Sequence, residues 1–460
     1  MKSFWSALAV TSALVAAPAA QSETLADALI SAYKTSHLLE QNQAVLRAAD
    51  EDAAIAVAKL RPVVDFTTRG SWTKYDNTFA TSQLLTPYYE DANASAALTA
   101  SVLIYAGGRG KLGVEVAKES VLSTRAGLVN VEQQVLLAAV SSYVNVGLQY
   151  SIVNLRESNV RLITQELRAA QDRFDVGEVT QTDVSLAQAR LAAARSGLAA
   201  AQGALEVARE SYKATVGHYP VKIGGLPATP KLPQNEDAAR AIAVRNHPTI
   251  IAAQHQSKIG DLRVQIAKGA FLPSVNGTLT LSENLTSGAG TTVAGINLSQ
   301  TLYQGGELSA LYRQSLAQKE ASAANLHQTV VVVSQNVGVA WANLAVANAS
   351  INAGSLQVTA AQKAFDGVRE EAKLGARTTL DVLNAEQDLL DARAAKLQSE
   401  ADRYVGVYQL LSTTGQLTAS RLNLGIASFD PEAYYNAVKR APATSTQGKK
   451  LDRIMSKIQK

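Results

Sequence analysis

The chain has 460 residues, 47% of them hydrophobic and only 5% aromatic, with a net charge of +4. The absence of cysteine excludes disulfides, thiolate chemistry, cysteine-based metal sites and a lipid-modified N-terminal cysteine. Few aromatics with abundant alanine suit closely packed helices better than a bulky globular core, and so small a net charge offers little to nucleic acid.

Lys2 precedes an apolar run from Phe4 to Ala17, shorter than the roughly 20 residues of a spanning helix, and Ala17-Pro18-Ala19 has the form of a signal-peptidase site. Residues 1–19 therefore read as a signal peptide, with export expected and the mature chain starting near Ala20. Proline maps the mature chain, because it breaks helix interiors. None occurs between Pro87 and Pro220 or between Pro273 and Pro431, which leaves room for two very long helical tracts. Between them, Pro220, Pro227, Pro230 and Pro233 with Gly224-Gly225 form an irregular connector.

The two halves repeat each other. Gly177 to Gly217 aligns without a gap on Gly375 to Gly415 at an offset of 198 (375−177, 415−217), and the same offset links Tyr105-Ala106-Gly107-Gly108 to Tyr303-Gln304-Gly305-Gly306 and Tyr143 to Trp341. Ala58-Lys59 and Pro62 correspond to Ala267-Lys268 and Pro273 with slightly different spacing. The implied organisation is a first repeat over 20–217 (helix, strand pair 63–106, long helices), a connector over 218–235, a second repeat over 236–415 (helix, strand pair 273–304, long helices) and a C-terminal segment over 416–460. Lys439, Arg440, Lys449, Lys450, Arg453, Lys457 and Lys460 face only Asp452 there, so most of the net charge belongs to a basic tail.

Before each helical tract the pattern has period two. Val64, Phe66, Thr68, Gly70 and Trp72 alternate with Asp65, Thr67, Arg69 and Ser71, and Ala94 to Ile104 alternates with Asn93, Ser95, Thr99 and Ser101. Val275, Gly277, Leu279 and Leu281, then Ala294, Ile296 and Leu298, repeat this in the second half, with Ser299 and Thr301 on the polar side. One apolar and one polar face describe a barrel wall between lipid and water. Four strands cannot close a barrel and an open edge is not tolerated in lipid, so several chains are expected to share one barrel. Tyr88-Tyr89, in the loop between Phe79 and Asn93, suits the membrane surface.

Within the helical tracts Leu191, Leu198, Leu205 and Tyr212 alternate with Ala187, Ala194, Ala201 and Ala208, and Leu383, Leu390, Leu397, Tyr404 and Leu411 run with Ala394, Ala401 and Tyr408. These are coiled-coil seams. The uncharged stretches Gln133–Leu155 and Ala321–Gln362 carry amides on many turns, which hydrocarbon would penalise, so they read as helices packed on helices.

Catalytic chemistry is missing. His37, His218, His247, His255 and His327 are scattered without a metal-binding spacing. Gly107-Gly108-Arg109-Gly110 lacks the Gly-Lys-Ser/Thr ending of a phosphate loop, and its echo at Gly305-Gly306 marks a repeated structural corner. No enzyme activity and no cofactor are expected.

Two motifs complete the reading: Gly177-Glu178-Val179-Thr180-Gln181-Thr182-Asp183-Val184, and Gly375-Ala376-Arg377-Thr378-Thr379-Leu380-Asp381-Val382-Leu383-Asn384. Thr180 with Asp183 and Thr378 with Asp381 have the spacing of helix N-terminal capping pairs. With the duplication and the repeated Tyr-x-Gly-Gly, these motifs make the chain resemble the TolC-like family of outer-membrane efflux and type I secretion channels over nearly its whole mature length.

The resemblance implies a mainly α fold with a membrane β-barrel. Each internally duplicated protomer would give four strands to a trimeric twelve-stranded barrel and helices to a long coiled-coil periplasmic tunnel, with an equatorial belt from the connector and C-terminal segment. It implies a passive exit duct in the outer membrane, surrounded by its lipid. The partners would be a periplasmic adaptor (membrane fusion protein) and an ABC or proton-driven inner-membrane pump, with no nucleic acid. It assigns a gate latch to Thr182, Asp183 and Arg377, an entrance ring to Asp381 and Asn384, and tip turns that dock the adaptor to Gly177, Thr180, Gly375 and Thr378. Two departures stand out: Asn384 replaces the usual second ring aspartate, and Ala372 replaces a tyrosine that assists closure. The heptads alone would also fit a periplasmic coiled-coil structural protein without a pore, but the signal peptide and amphipathic strand pairs favour the channel.

Overall fold

Duplication governs the element lengths. The computed structural model describes residues 22–76, 88–426, 429–440 and 453; the expected signal peptide, part of the expected loop between Phe79 and Asn93, and most of the basic tail lie outside the described residues, while Tyr88 and Tyr89 are not in a loop but pair with Asp76 and Tyr75 in the sheet. The helices are α1 (Leu25–Thr35), α2 (His37–Ala58), α3 (Arg109–Asp175), α4 (Gln181–Val216), α5 (Glu236–Asn246), α6 (Pro248–Gly269), α7 (Glu307–Lys373), α8 (Thr379–Thr413) and α9 (Pro431–Val438). The strands are β1 (Val63–Asp76), β2 (Tyr88–Ala106), β3 (Ser274–Asn284) and β4 (Ala289–Ser299).

Helices α3 and α7 each have 67 residues and start at the offset of 198 (307−109). Helices α1 and α5 have 11 residues each, and α2 and α6 have 22 each, at an offset of 211 (236−25, 248−37). Pro62 and Pro273 keep that second frame, whereas the pairing of Ala58-Lys59 with Ala267-Lys268 falls two residues out of it. The change from 211 to 198 is confined to the strand pairs, where β1 and β2 have 14 and 19 residues against 11 and 11 in β3 and β4.

The chain divides into two units. One comprises the N-terminal residues through Ser36 with Leu137–Lys231 and Leu344–Val407; the other comprises His37–Leu136, Leu232–Asn343 and the residues from Tyr408 onward.

The second unit carries the sheet, antiparallel in the order β1-β2-β3-β4. Its register stacks the apolar positions in rows: Val64 opposite Ala100, Leu279 and Ala294, then Phe66 opposite Leu98, Leu281 and Thr292. This face stays bare, with Phe66 70% and Ile296 77% exposed. The alternation breaks once, at a bulge between Leu103 and Tyr105. The sequence pattern carries the second pair to 304, but pairing ends at Ser299, because its partner strand begins opposite, at Ser274. Beyond it Leu302 and Tyr303 are exposed and the chain turns through Gly305 and Gly306, both at positive φ. The matching corner at Gly107 is tight as well as left-handed, since a Cβ there would collide with the Gly269 carbonyl oxygen.

The same unit seats α9. Phe429 and Tyr435 pack on the buried cluster of Leu46, Ala53 and Val121, the Tyr434 hydroxyl donates to Glu51 at 2.6 Å, and Arg125 lies over the Tyr435 ring. Beneath them Asp50 is 1% exposed and neither carboxylate oxygen has a hydrogen-bond partner among the described residues.

In the first unit, the start of α1 is tied to the connector. Glu23 N donates to the Lys222 carbonyl, Gly224 N donates to the Glu23 carbonyl, and the fully buried Tyr143 sets its hydroxyl 3.0 Å from the Glu23 carbonyl and 3.1 Å from that of Gly224. Tyr212 donates to Glu23 Oε1 at 2.5 Å, so two tyrosines of the long helices hold the chain entry. The coiled-coil seam buries Ala187, Leu191, Ala194, Ala201, Ala208 and Tyr212 of α4. The two amide-bearing stretches each begin in the second unit and continue into the first; the one in α3 buries Gln133, Leu136, Ala139, Val140 and Tyr143, while α7 buries Val333, Val337 and Ala340 but leaves Val331 and Val339 exposed.

Burial pushes the Asp50 carboxyl up from 3.8 to about 6, against the pull of Arg125. Because the folded chain holds that proton to higher pH than the unfolded one, stability falls as pH rises between those values, by up to about 3 kcal/mol across the window. Amide hydrogen exchange in α2 and α9, corrected for the intrinsic rate, should therefore show stronger protection at pH 5 than at pH 7, and Asp50→Asn should remove the difference.

Candidate functional site

Two helical hairpins, α3/α4 and α7/α8, end in matched turns. In the first, Gly177 N donates to the Phe174 carbonyl and Glu178 N reaches back to that of Arg173; in the second, Gly375 N donates to Ala372 and Ala376 N to Glu371. Gly177 and Gly375 sit at φ of 83° and 77° with open space where a Cβ would go, so backbone conformation alone demands glycine.

Each turn leads into a closed capping box. Thr180 N and Oγ1 donate to Asp183 Oδ2 at 3.0 and 2.7 Å, while Asp183 N returns a bond to Thr180 Oγ1. The second copy repeats this at Thr378 and Asp381 with 3.0 and 2.8 Å. The bonds from Thr180 hold the Asp183 carboxyl below its usual range. Those from Thr378, with Arg377 adding to them, do the same for Asp381, so both stay ionised at neutral pH.

The latch residues are not joined in the single chain. Arg377 Nε donates to Glu371 Oε2 at 2.8 Å within its own turn, Thr182 is exposed, and among the described residues no ion pair links Arg377 to Asp183. Asn384, which the resemblance assigns to an entrance ring, accepts from Arg190 Nη2 at 2.9 Å. Ala372 is buried with Phe365, Val382 and Leu389.

Sequence reasoning passed over the contacts that bind one hairpin to the other. Arg369 Nε lies 3.1 Å from Glu166 Oε1, and Asn159, 5% exposed, donates a short bond to the equally buried Glu386. The heptad gave Glu386 no signal, since the seam position between Leu383 and Leu390 is Gln387, seven residues before Ala394. Burial raises the pKa of Glu386, opposed first by the bond from Asn159. Among the described residues no cluster of side chains could hold a metal ion.

A family model for outer membrane efflux proteins matches residues 29–218 and 240–416, spanning both hairpins and both strand pairs. The chain belongs to the outer membrane efflux protein family. It is 35% identical over 440 residues to the outer membrane efflux protein BepC of Brucella suis, covering 94% of each chain. It is 25% identical over 312 residues to the alkaline protease secretion protein AprF of Pseudomonas aeruginosa, covering 65% of this chain and 64% of that one. The fold is that of the crystallised outer membrane protein VceC of Vibrio cholerae, with a TM-score of 0.74 at 19% identity over 85% of this chain and 96% of the other. As members of this family are channels of the outer membrane, the mainly helical chain with its small antiparallel sheet is one too.

The capping boxes give a direct test. Thr180→Ala or Thr378→Ala removes one acceptor from a helix start and should cost about 1 kcal/mol locally, seen as faster amide exchange in the first turn of α4 or α8 respectively.

Proposed function

We propose that three copies of the chain share one twelve-stranded barrel and form the exit duct of a tripartite efflux pump or a type I secretion system, without catalysis of their own. The open sheet carries this reading. Its apolar rows are bare, and among the described residues β1 and β4 each have an edge without a neighbouring strand. In hydrocarbon every backbone N–H and C=O needs a partner, so the edges must be met by strands of other copies. The exposed Val331 and Val339 on α7 likewise suit packing between copies.

On this reading the hairpin tips are the periplasmic entrance. A periplasmic adaptor docks on the turns at Gly177, Thr180, Gly375 and Thr378, and an inner-membrane pump, ABC or proton-driven, supplies cargo. Arg377 leaves Glu371 to latch against Thr182 and Asp183 when the three tips meet. Asp381 forms a ring of carboxylates, and Asn384 makes the second ring neutral, so the entrance is weakly cation-selective. Efflux and protein secretion both fit, as the names of BepC and AprF illustrate.

Planar-bilayer recording tests this on the purified protein. A small conductance that rises several-fold in Arg377→Ser establishes pore and latch together. Absence of conductance from a correctly migrating, heat-modifiable trimer overturns the duct and returns the chain to a coiled-coil structural role. Asp381→Asn, which keeps a capping acceptor, should move the reversal potential in a salt gradient toward zero; an unchanged potential would remove the Asp381 ring from selectivity.

A further inference from the structure

Four connections meet where the sheet gives way to helix, at 58–62, 107–112, 268–273 and 300–306. They carry Lys59, Arg61, Arg109, Lys111 and Lys268 and no acid. Contacts gather them into one collar: a Cβ on Gly110 would meet Leu60, one on Gly107 would meet Gly269 and Leu272, and Gln300 Nε2 donates to the Phe271 carbonyl at 3.3 Å. Tyr312 stands edge-on to Phe271, with the Lys268 ammonium 5.8 Å from its ring centre. Lys59, Lys111 and Lys268 are exposed, and among the described residues none of the three forms an ion pair. Helix polarity accounts for Lys59 and Lys268, at the ends of α2 and α6, but not for Arg109 and Lys111, which open α3, where a cation is disfavoured. The chain also leaves α9 at this collar, since Arg61 Nη2 donates to the Arg440 carbonyl, and after Arg440 the sequence holds five further cations and one acid. The described residues at the far end of the sheet have the opposite balance: Lys74, itself 3.8 Å from Glu90, stands against Glu90, Asp91 and Glu283.

Beside the collar a groove of about 490 Å³ opens on the apolar face of the sheet. It starts at Pro62, next to Arg61, and passes over Ala100, Gly277 and Ala294, whose lack of bulk leaves room between Val102, Leu279 and Ile296. Phe271, Leu272, Leu302 and Tyr303 are exposed around it, residues that suit the boundary between hydrocarbon and water. Unpaired cations above an apolar groove match an amphiphile with an anionic head. We propose that anionic phospholipid, from the membrane leaflet that adjoins the helices, binds at this collar, with its phosphate held by the cations and one acyl chain in the groove. The lysine and arginine stems can lie along apolar surface while their charges reach headgroup level. A zwitterionic lipid has no net charge for the collar to attract, so the site discriminates by charge, and the acidic far end of the sheet offers no second site of this kind.

The inference rests on the reading of the sheet as part of a barrel in lipid, and the experiment separates the two. Electron spin resonance is recorded on the purified protein in phosphatidylcholine vesicles, with a trace of phosphatidylglycerol or of phosphatidylcholine, spin-labelled near the end of one acyl chain, as the probe. The reading is the share of each probe that the protein immobilises. The collar predicts a several-fold preference for phosphatidylglycerol that disappears at about 1 M salt, where charges are screened within about 3 Å. Lys59→Gln, Lys111→Gln and Lys268→Gln together should abolish the preference at low salt, while Lys74→Gln, at the far end of the sheet, should retain it; the reverse pattern overturns the collar. Ala294→Leu fills the groove without altering a charge and should lower the preference as well; an unchanged preference there strikes the groove from the site. Equal immobilisation of both probes by the wild type at low salt overturns the proposal while leaving the barrel in place. Immobilisation of neither probe by a heat-modifiable trimer overturns the barrel itself. If the triple variant does not assemble, the salt dependence of the wild type decides between the same outcomes.

Discussion

An unpaired backbone amide has nowhere to go in hydrocarbon, and that constraint reaches every part of this molecule. A four-stranded sheet with an apolar face and two open edges cannot stand alone in lipid, so barrel closure makes assembly a condition of the fold. On the proposed reading, copies joined through their strands also bring together the helices that continue from those strands, and apolar residues exposed in the single chain gain partners. The left-handed corners at Gly107 and Gly305-Gly306 carry the chain from one regime to the other. There a period of two gives way to 3.6, and hydrogen bonding between strands gives way to bonding within a helix.

Much of this was legible in the residues themselves. The proline-free intervals located α3 with α4 and α7 with α8, because a helix interior excludes proline wherever it lies. The offset of 198 exposed the duplication, and Thr180-x-x-Asp183 announced a capping box that the structure closes in both copies. Local rules sufficed in each case. They failed where the partner lies far along the chain. Nothing near Asn159 in the sequence shows that Glu386 will meet it, and Arg369 gives no hint of Glu166. Asp50 was equally hidden, since its burial depends on α9 folding back over α2 from the other end of the chain. The end of β4 was misread for a related reason: alternation continues in the residues after β3 has run out opposite them.

Asp183 and Asp381 show how one carboxylate can serve two demands. Each completes the start of a helix, which holds it ionised and in a fixed rotamer. A charge so held remains available on its outer side to a cation from another chain or to passing solute. On the proposed reading Asp381 is both a fold residue and a selectivity residue, and a variant there needs an asparagine rather than an alanine if the two are to be told apart.

The change of offset between the strand pairs records where the two copies were free to diverge after duplication. The first pair differs in length from the second, yet α3 and α7 have kept the same 67 residues. A hairpin can lengthen at its far end without disturbing the register below it. A helix has no such freedom, since one inserted residue turns every side chain beyond it by about 100° about the axis. Length is therefore what the two long helices share, rather than sequence or burial: Gln133 is 1% exposed, while Val331, its counterpart at the offset of 198, is 59% exposed.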